Sequence, residues 1–161
     1  TYIEGETEQI MAENIRFRQI GRREGLPAPV LAAVDRLTAL TAGNTGPTLC
    51  LAVNYGARAE IVDAARALAE RVQRGELQPE QIDEAAVSRH LYTDGLPDPD
   101  LLIRTAGEMR VSNYLLWQIS YAELHVTDVL WPDFGVEDLH RAIRDYASRS
   151  RRFGGLQDVS V

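Results

Sequence analysis

Short apolar segments alternate with longer amphipathic segments along this chain, and the alternation restricts the folds open to it. The run from Thr48 to Val53 is apolar on both faces, which predicts a central parallel strand covered by helices. Residues 15–20 alternate apolar and polar side chains, as in a strand with one buried face. Leu101–Ile103 and Glu123–Val126 predict two more strands. Together these segments predict an α/β fold with a mostly parallel central sheet flanked by helices.

The segments between the strands carry apolar side chains at helical spacing. This spacing predicts an acidic helix near Ile10 and helices after Pro27, from Arg58 to Arg74, from Pro79 through Leu91, and around Leu139 and Ile143. Proline at the start of a helix supports two of these predictions, because its missing N–H would have no partner there. A further helix is expected to begin near Ser112 or Asn113.

Length and charge narrow the possible functions. A chain of 161 residues can bury one good apolar core, so residues 1–161 are expected to form a single domain. All 17 basic residues are arginine, which excludes Schiff-base and P-loop lysine chemistry. The formal net charge of −7 disfavours nucleic acid as a partner, since phosphate backbones attract a basic excess. A local arginine site for a small phosphate remains compatible with this composition.

The other composition signals concern compartment and metals. Cys50 is the single cysteine and lies in an apolar run, which predicts a buried thiol in a reducing compartment, most simply the cytoplasm. The three histidines lack metal-ligand spacing, so a zinc site is not expected. No apolar run approaches the ~20 residues of a membrane span, and no signal-peptide pattern is present.

The segment after the Leu101–Ile103 strand is the first candidate site, because open α/β sheets bind ligands beyond the carboxyl ends of their strands. Arg104 and Arg110 supply forked donors, and Ser112 lies at an expected helix start, where free N–H groups attract anions. This pattern suits a diphosphate. It equally suits arginines that simply pair with Glu108 and other carboxylates, and the spacing alone does not decide between the two.

Two other polar residues stand at strand ends. Glu123 begins a predicted strand, and a carboxylate there can bind Mg²⁺, which takes one or two carboxylates with water and substrate phosphates. A strand glutamate that faces solvent is the alternative, and the residue pattern by itself favours it. Asn54 follows the Thr48–Val53 strand and begins a second candidate segment, residues 54–58.

Several motifs resemble those of the cis-prenyltransferase family. The main block comprises Asp100–Glu108, Arg110, Ser112-Asn113, Leu115–Gln118, Tyr121–Glu123 and Trp131–Phe134. Further matches, in the family's order and spacing, are Leu40–Gly46, Asn54–Gly56 and Arg151–Gly155. The resemblance therefore covers essentially the whole chain.

The resemblance implies a reaction and a set of roles. Such enzymes condense isopentenyl diphosphate with an allylic diphosphate, such as farnesyl diphosphate, to give a longer Z-polyprenyl diphosphate, such as the undecaprenyl carrier of cell-wall synthesis. Magnesium would be the cofactor, a homodimer the assembly, and a lipid product the contact with the membrane surface. The implied site residues are Arg104, Arg110 and Ser112 for the diphosphate of isopentenyl diphosphate, Glu123 for Mg²⁺, Arg152 and Gly154 for an Arg-x-Gly motif that helps close the site across the dimer interface, and Asn54 and Glu108 in support.

The sequence departs from the family at its front. Members begin with an Asp-Gly-Asn-Gly-Arg-Trp loop, which binds the allylic diphosphate and carries the catalytic aspartate, and residues 1–161 contain no match to it. The resemblance therefore implies the C-terminal part of a synthase, inactive by itself, and it assigns no catalytic residue here. A non-catalytic partner subunit is the alternative. Met109 also replaces the histidine of some members, which puts any further metal contact there in doubt.

Overall fold

The chain consists of two compact units. A computed structural model describes residues 5–150, and its contacts place the boundary between Gly95, which ends unit 1, and Leu96, which begins unit 2. The single domain expected over residues 1–161 stays a prediction.

The described part of unit 1, residues 5–95, contains two parallel strands and four α-helices. In chain order the elements are α1 (Thr7–Ala12), β1 (Arg16–Ile20), α2 (Ala28–Thr41), β2 (Thr48–Ala52), α3 (Ala57–Gln73), a 3₁₀ turn (Pro79–Gln81) and α4 (Glu84–Ser88). The strands pair in register, with Arg16 opposite Thr48 and Ile20 opposite Ala52.

The core of unit 1 lies between α2 and β1. Val34 and Leu37 are one helical turn apart on α2 and pack with Phe17 of β1 and with Ile10 of α1. Thr41 joins the two elements through its buried hydroxyl, which accepts a hydrogen bond from the Phe17 N–H (3.0 Å) and donates to the Leu37 carbonyl (2.9 Å). The helix predicted after Pro27 is confirmed. Val34 and Leu37 are buried as the sequence indicates, whereas Leu40, which the sequence places on the same apolar face, is 50% exposed.

The burial predicted for β2 is wrong. The sequence predicted a strand covered on both faces, but Leu49 and Leu51 are 41% and 37% exposed, and Cys50 is half-buried. Within residues 5–150, β2 pairs with β1, whereas the helix that packs on this sheet, α2, lies against β1. An apolar run shows that a strand could be buried on both faces, but the elements within residues 5–150 do not cover both faces of β2.

The helix predicted from Pro79 through Leu91 is also wrong in detail. Ile82 has φ −81° and ψ 90°, which interrupts the helix after the 3₁₀ turn. Asp83 then caps α4, because its side chain accepts a hydrogen bond from the Ala86 N–H at 2.7 Å. The segment is therefore two short helical pieces, each with its own start signal.

The described part of unit 2, residues 96–150, contains a second pair of parallel strands and one longer helix. Its elements are β3 (Leu101–Arg104), β4 (Glu123–Val126), a 3₁₀ turn (Trp131–Asp133) and α5 (Val136–Ser148). Leu101 pairs with Glu123 and Arg104 pairs with Val126, and α5 packs on β4. The parallel strands and the α/β class are as predicted. No helix within the described residues is long and apolar enough to cross a bilayer.

The Thr41 hydroxyl gives a direct test of the α2–β1 junction. Thr41→Val removes the acceptor for the buried Phe17 N–H, so we expect the free energy of unfolding to fall by about 1–3 kcal/mol in urea denaturation. Thr38→Val on the exposed face of α2 is the control and should change stability by less than about 0.5 kcal/mol. Equal losses in the two variants would contradict this account.

Candidate functional site

A tight turn fixes the loop that follows β3. Ala106 and Gly107 both adopt left-handed backbone, at φ +62° and +65°. Their N–H groups donate to the carbonyls of Val129 and Thr127, each at 2.9 Å, which ties the loop to the segment after β4. The left-handed backbone favours glycine at position 107, where a Cβ would also displace the Asp128 carboxylate. The turn therefore sets the direction of residues 108–110.

The turn brings Arg104, Glu108 and Arg110 together. One carboxylate oxygen of Glu108 contacts Nη2 of Arg104, and the other lies 2.5 Å from Nη2 of Arg110. The hydrogen bond from Arg104 is the main reason that the pKa of Glu108 is lowered from its ordinary value. The ion pairs that the sequence offered as an alternative to phosphate binding are thus present. Two guanidinium groups share one carboxylate, which leaves the cluster with one positive charge in excess.

The two arginines also line a cavity of about 280 Å³. Its other lining residues are Leu102, Ile103, Val111 and Tyr114. Within residues 5–150, Nε of Arg104 is buried and has no hydrogen-bond partner. A buried donor without an acceptor costs on the order of 1–3 kcal/mol. A cavity with excess positive charge and an unsatisfied donor suits a ligand that carries several phosphate oxygens.

Ser112 does not occupy the expected helix start. Ser112, Asn113 and Leu115 have φ of +50°, +60° and +45°, and such left-handed residues do not continue a right-handed helix. The segment between Arg110 and β4 forms successive turns instead. The sequence-based prediction of helix N–H groups at this site is therefore wrong, and the donors that the structure brings together are arginine side chains.

Asn54 belongs to unit 1, whereas the arginine cluster belongs to unit 2. It follows β2 with φ +52°, and its side-chain amide donates to the carbonyls of Arg22 and Glu24, both at 3.0 Å. These hydrogen bonds fix the loop that follows β1. Arg152 and Gly154 lie outside the described residues.

A buried glutamate in unit 1 was missed by the sequence analysis. Glu60 is fully buried on α3 and accepts hydrogen bonds from the Tyr55 hydroxyl (2.5 Å) and the Tyr92 N–H (2.7 Å). It thus anchors the segment that follows β2. The signal available was an acidic residue on the same helical face as Ala57 and Ala64, both buried.

Glu123 begins β4 and is held by Arg149. Its Oε2 accepts from Nη1 of Arg149 at 2.9 Å, and the same Nη1 donates to the Leu124 carbonyl at 3.0 Å. Nη2 of Arg149 lies 2.7 Å from Asp145, and Asp145 is 2.6 Å from Nδ1 of His125. The hydrogen bond to Glu123 raises the pKa of Arg149, and those from His125 and Arg149 lower the pKa of Asp145. Glu123 is therefore not a simple solvent-facing strand residue.

The strand register separates Glu123 from the arginine cluster. Glu123 pairs with Leu101, three residues before Arg104, which is about 10 Å at the usual rise of a strand. Residues 5–150 contain no group of three histidine, cysteine or acidic side chains that could enclose a metal. A single carboxylate in a chain with a phosphate-binding cavity fits Mg²⁺, which commonly completes its shell with water and substrate phosphates.

Comparison with known proteins identifies the chain. A family model described as "Putative undecaprenyl diphosphate synthase" matches residues 1–154. The chain belongs to the undecaprenyl diphosphate synthase family. The family membership that the motifs around Arg104 and Glu123 predicted is thereby confirmed.

Relatives of this family are about 50% identical to the chain over the aligned residues. An isoprenyl transferase of Geobacter sulfurreducens is 50% identical over 153 residues, which cover 95% of the chain and 62% of the relative. The ditrans,polycis-undecaprenyl-diphosphate synthase ((2E,6E)-farnesyl-diphosphate specific) of Escherichia coli K12 is 48% identical over 96% of the chain and 61% of its own length. The chain thus spans about three fifths of the curated relatives that it matches.

The fold is shared with a solved family structure. Lavandulyl diphosphate synthase from Lavandula x intermedia, in complex with dimethylallyl diphosphate, superposes with a TM-score of 0.92. It is 41% identical, and the match covers 95% of this chain and 66% of that structure. The α/β class predicted from the sequence agrees with this family fold.

The Glu108 pairing predicts a specific pH dependence of stability. Because the folded chain lowers the pKa of Glu108, its ionised form stabilises the folded state above the ordinary value of 4.5, and this contribution is lost as pH falls through the lowered pKa. Below about pH 4.5, acid should therefore reduce the free energy of unfolding less in Glu108→Gln than in the wild type.

Urea denaturation at a series of pH values measures this difference. Glu137→Gln is the control, since that side chain is 81% exposed on α5, and it should follow the wild-type curve. Parallel curves for wild type and Glu108→Gln would show that the shared carboxylate does not stabilise the folded chain.

Proposed function

We propose that this chain acts in a cis-prenyltransfer reaction and binds isopentenyl diphosphate at the Arg104–Glu108–Arg110 cluster. One observation supports this most directly: two guanidinium groups line a cavity at the carboxyl end of β3, and one of them carries a buried donor without an acceptor. Relatives that are about 50% identical are named isoprenyl transferase, which agrees with a diphosphate ligand.

The chemistry requires charge stabilisation more than a nucleophile. Pyrophosphate leaves the allylic diphosphate as the first carbon becomes cation-like, the double bond of isopentenyl diphosphate attacks that carbon, and a proton leaves to form a cis double bond. No covalent enzyme intermediate forms. Arg104 and Arg110 orient one diphosphate through charge-assisted hydrogen bonds, because arginine stays charged and binds phosphate oxygens in pairs. Glu108 holds the two guanidinium groups at a fixed separation before the ligand arrives.

The remaining site residues complete the proposal. Ser112 donates its hydroxyl to the same diphosphate from the turn after Arg110, in place of the helix N–H groups that the structure lacks within residues 111–120. Arg152 and Gly154 supply the Arg-x-Gly motif that closes the site. Asn54 keeps the supporting role that the family resemblance implies, and within unit 1 it fixes the loop after β1.

Glu123 is the proposed protein ligand of Mg²⁺. The ion supplies positive charge that stabilises departing pyrophosphate. The chain's own contribution is a carboxylate whose Oε2 is fixed by Arg149. The fit rests on donor chemistry, since a hard cation prefers oxygen ligands and accepts a single carboxylate when phosphates complete its shell.

The proposed partners follow the family. The second substrate is an allylic diphosphate such as farnesyl diphosphate, the ligand class that the names of two relatives print. The assembly is a homodimer in the cytoplasm whose lipid product contacts the membrane surface. Nucleic acid is not a partner, in keeping with the net charge of −7.

Removing one arginine tests the binding site. Titration calorimetry of the chain with isopentenyl diphosphate should show a loss of about 1–3 kcal/mol, or roughly 5- to 150-fold in affinity, for Arg104→Ala. Arg141→Ala is the matched control, because Arg141 is 61% exposed on α5 and pairs with Asp138. Unchanged affinity in Arg104→Ala would overturn the assignment.

Replacing the strand glutamate tests the metal role. Glu123→Gln keeps a hydrogen-bond acceptor for Arg149 but removes the charge that binds Mg²⁺. We expect it to abolish most of the magnesium-dependent gain in affinity for isopentenyl diphosphate and to change the free energy of unfolding much less. Glu137→Gln should keep the gain. If Glu123→Gln lowered the free energy of unfolding by as many kcal/mol as it removed from the magnesium-dependent gain in binding free energy, Glu123 would be a structural residue.

A further inference from the structure

Four polar side chains meet where β4 begins and α5 ends. These residues, the Arg149 cluster, are Glu123 and His125 of β4, Asp145 of α5, and Arg149 directly after α5. The cluster is continuous: His125 contacts Asp145, Asp145 contacts Arg149, and Arg149 contacts Glu123. All four residues belong to unit 2.

The geometry of Arg149 is fixed on two sides. Its Nη2 and Nε face the two oxygens of Asp145, at 2.7 Å and 3.4 Å. Its Nη1 donates to the Leu124 carbonyl of β4 at 3.0 Å. Asp145 is itself held by His125, which projects from the same strand as Glu123. The guanidinium group is therefore bound to both α5 and β4 by contacts that do not involve the Glu123 side chain.

This arrangement restricts one oxygen of Glu123. Oε2 lies 2.9 Å from Nη1 of Arg149, so the carboxylate is oriented by a guanidinium group that Asp145 and the Leu124 carbonyl hold in place. A glutamate side chain loses rotamer freedom when it binds a metal, and that loss is smaller when the side chain is held beforehand.

We propose that Arg149 is a positioning residue that orients Glu123 for Mg²⁺, an inference that rests on the metal role proposed for Glu123 above. Arg149 does not contact the ion or the substrate in this proposal. It acts through the carboxylate, as polar groups around metal ligands commonly do. The competing account is that Arg149 only ties the end of α5 to β4, in which case its loss weakens the fold without a selective effect on Mg²⁺.

Binding of isopentenyl diphosphate with and without Mg²⁺ separates the two accounts. In titration calorimetry of the full chain, Arg149→Met should reduce the magnesium-dependent gain in affinity by about 10-fold and leave the magnesium-free affinity unchanged. Arg149→Lys keeps the charge but not the fork of donors, so it should give an intermediate gain. Arg141→Met removes an arginine that pairs with Asp138 on the same helix and should match the wild type.

Each other result counts against positioning. The proposal is overturned if Arg149→Met keeps the full magnesium-dependent gain in affinity. A gain larger than that of the wild type also overturns it, because Arg149 would then compete with the ion for Glu123. Equal losses of affinity with and without Mg²⁺ would show a structural tie. If Arg149→Met does not fold, Arg149→Lys decides by the same criteria. The metal role of Glu123 is refuted if the wild type shows no magnesium-dependent gain in affinity, or if Glu123→Gln keeps that gain. If Glu123→Gln loses the gain and Arg149→Met keeps it, only the role of Arg149 is refuted.

Discussion

Arg104 and Arg110 lie close together because the carboxylate of Glu108 contacts both. Without that shared partner, two like charges in a loop would repel each other. The pairing depends in turn on the left-handed turn at Ala106 and Gly107, which directs the chain so that Glu108 comes back toward the end of β3. Backbone geometry, one carboxylate and two guanidinium groups thus form a single arrangement, and the cavity beside it takes its charge from them.

Much of the fold follows from periodicity in the sequence. The strands around Phe17, Leu102 and Leu124, and the helices that contain Leu37 and Leu68, were predicted because the spacing of apolar side chains in each segment is a local signal. The burial of β2 was predicted wrongly, because the elements that cover a strand lie far away in the sequence. The helix expected at Ser112 failed for a different reason: consecutive left-handed residues leave no clear composition signal when they are not glycine.

The candidate site divides in the same way. Contacts within the loop after β3 were among the alternatives that spacing suggested, because Arg104, Glu108 and Arg110 are close in sequence. The contact between Glu123 and Arg149 spans 26 residues and joins a strand to the end of a helix, so it could not be predicted from local spacing. The pairing of Asp145 with Arg149 did have a signal, the i, i+4 spacing of opposite charges at the end of a helix.

The two charged clusters of unit 2 lie at opposite ends of the β3–β4 pair. The arginine cluster of Arg104, Glu108 and Arg110 begins at the last residue of β3 and has an excess positive charge, whereas the Arg149 cluster includes the first residue of β4 and contains two carboxylates. The register separates Glu123 from Arg104 by about 10 Å, which is close to the screening length in physiological salt. If Glu123 lay beside Arg104, a second carboxylate would neutralise the remaining positive charge and compete with a phosphate ligand. The parallel register therefore keeps the Glu123 carboxylate at the opposite end of the strand pair from the positively charged arginine cluster.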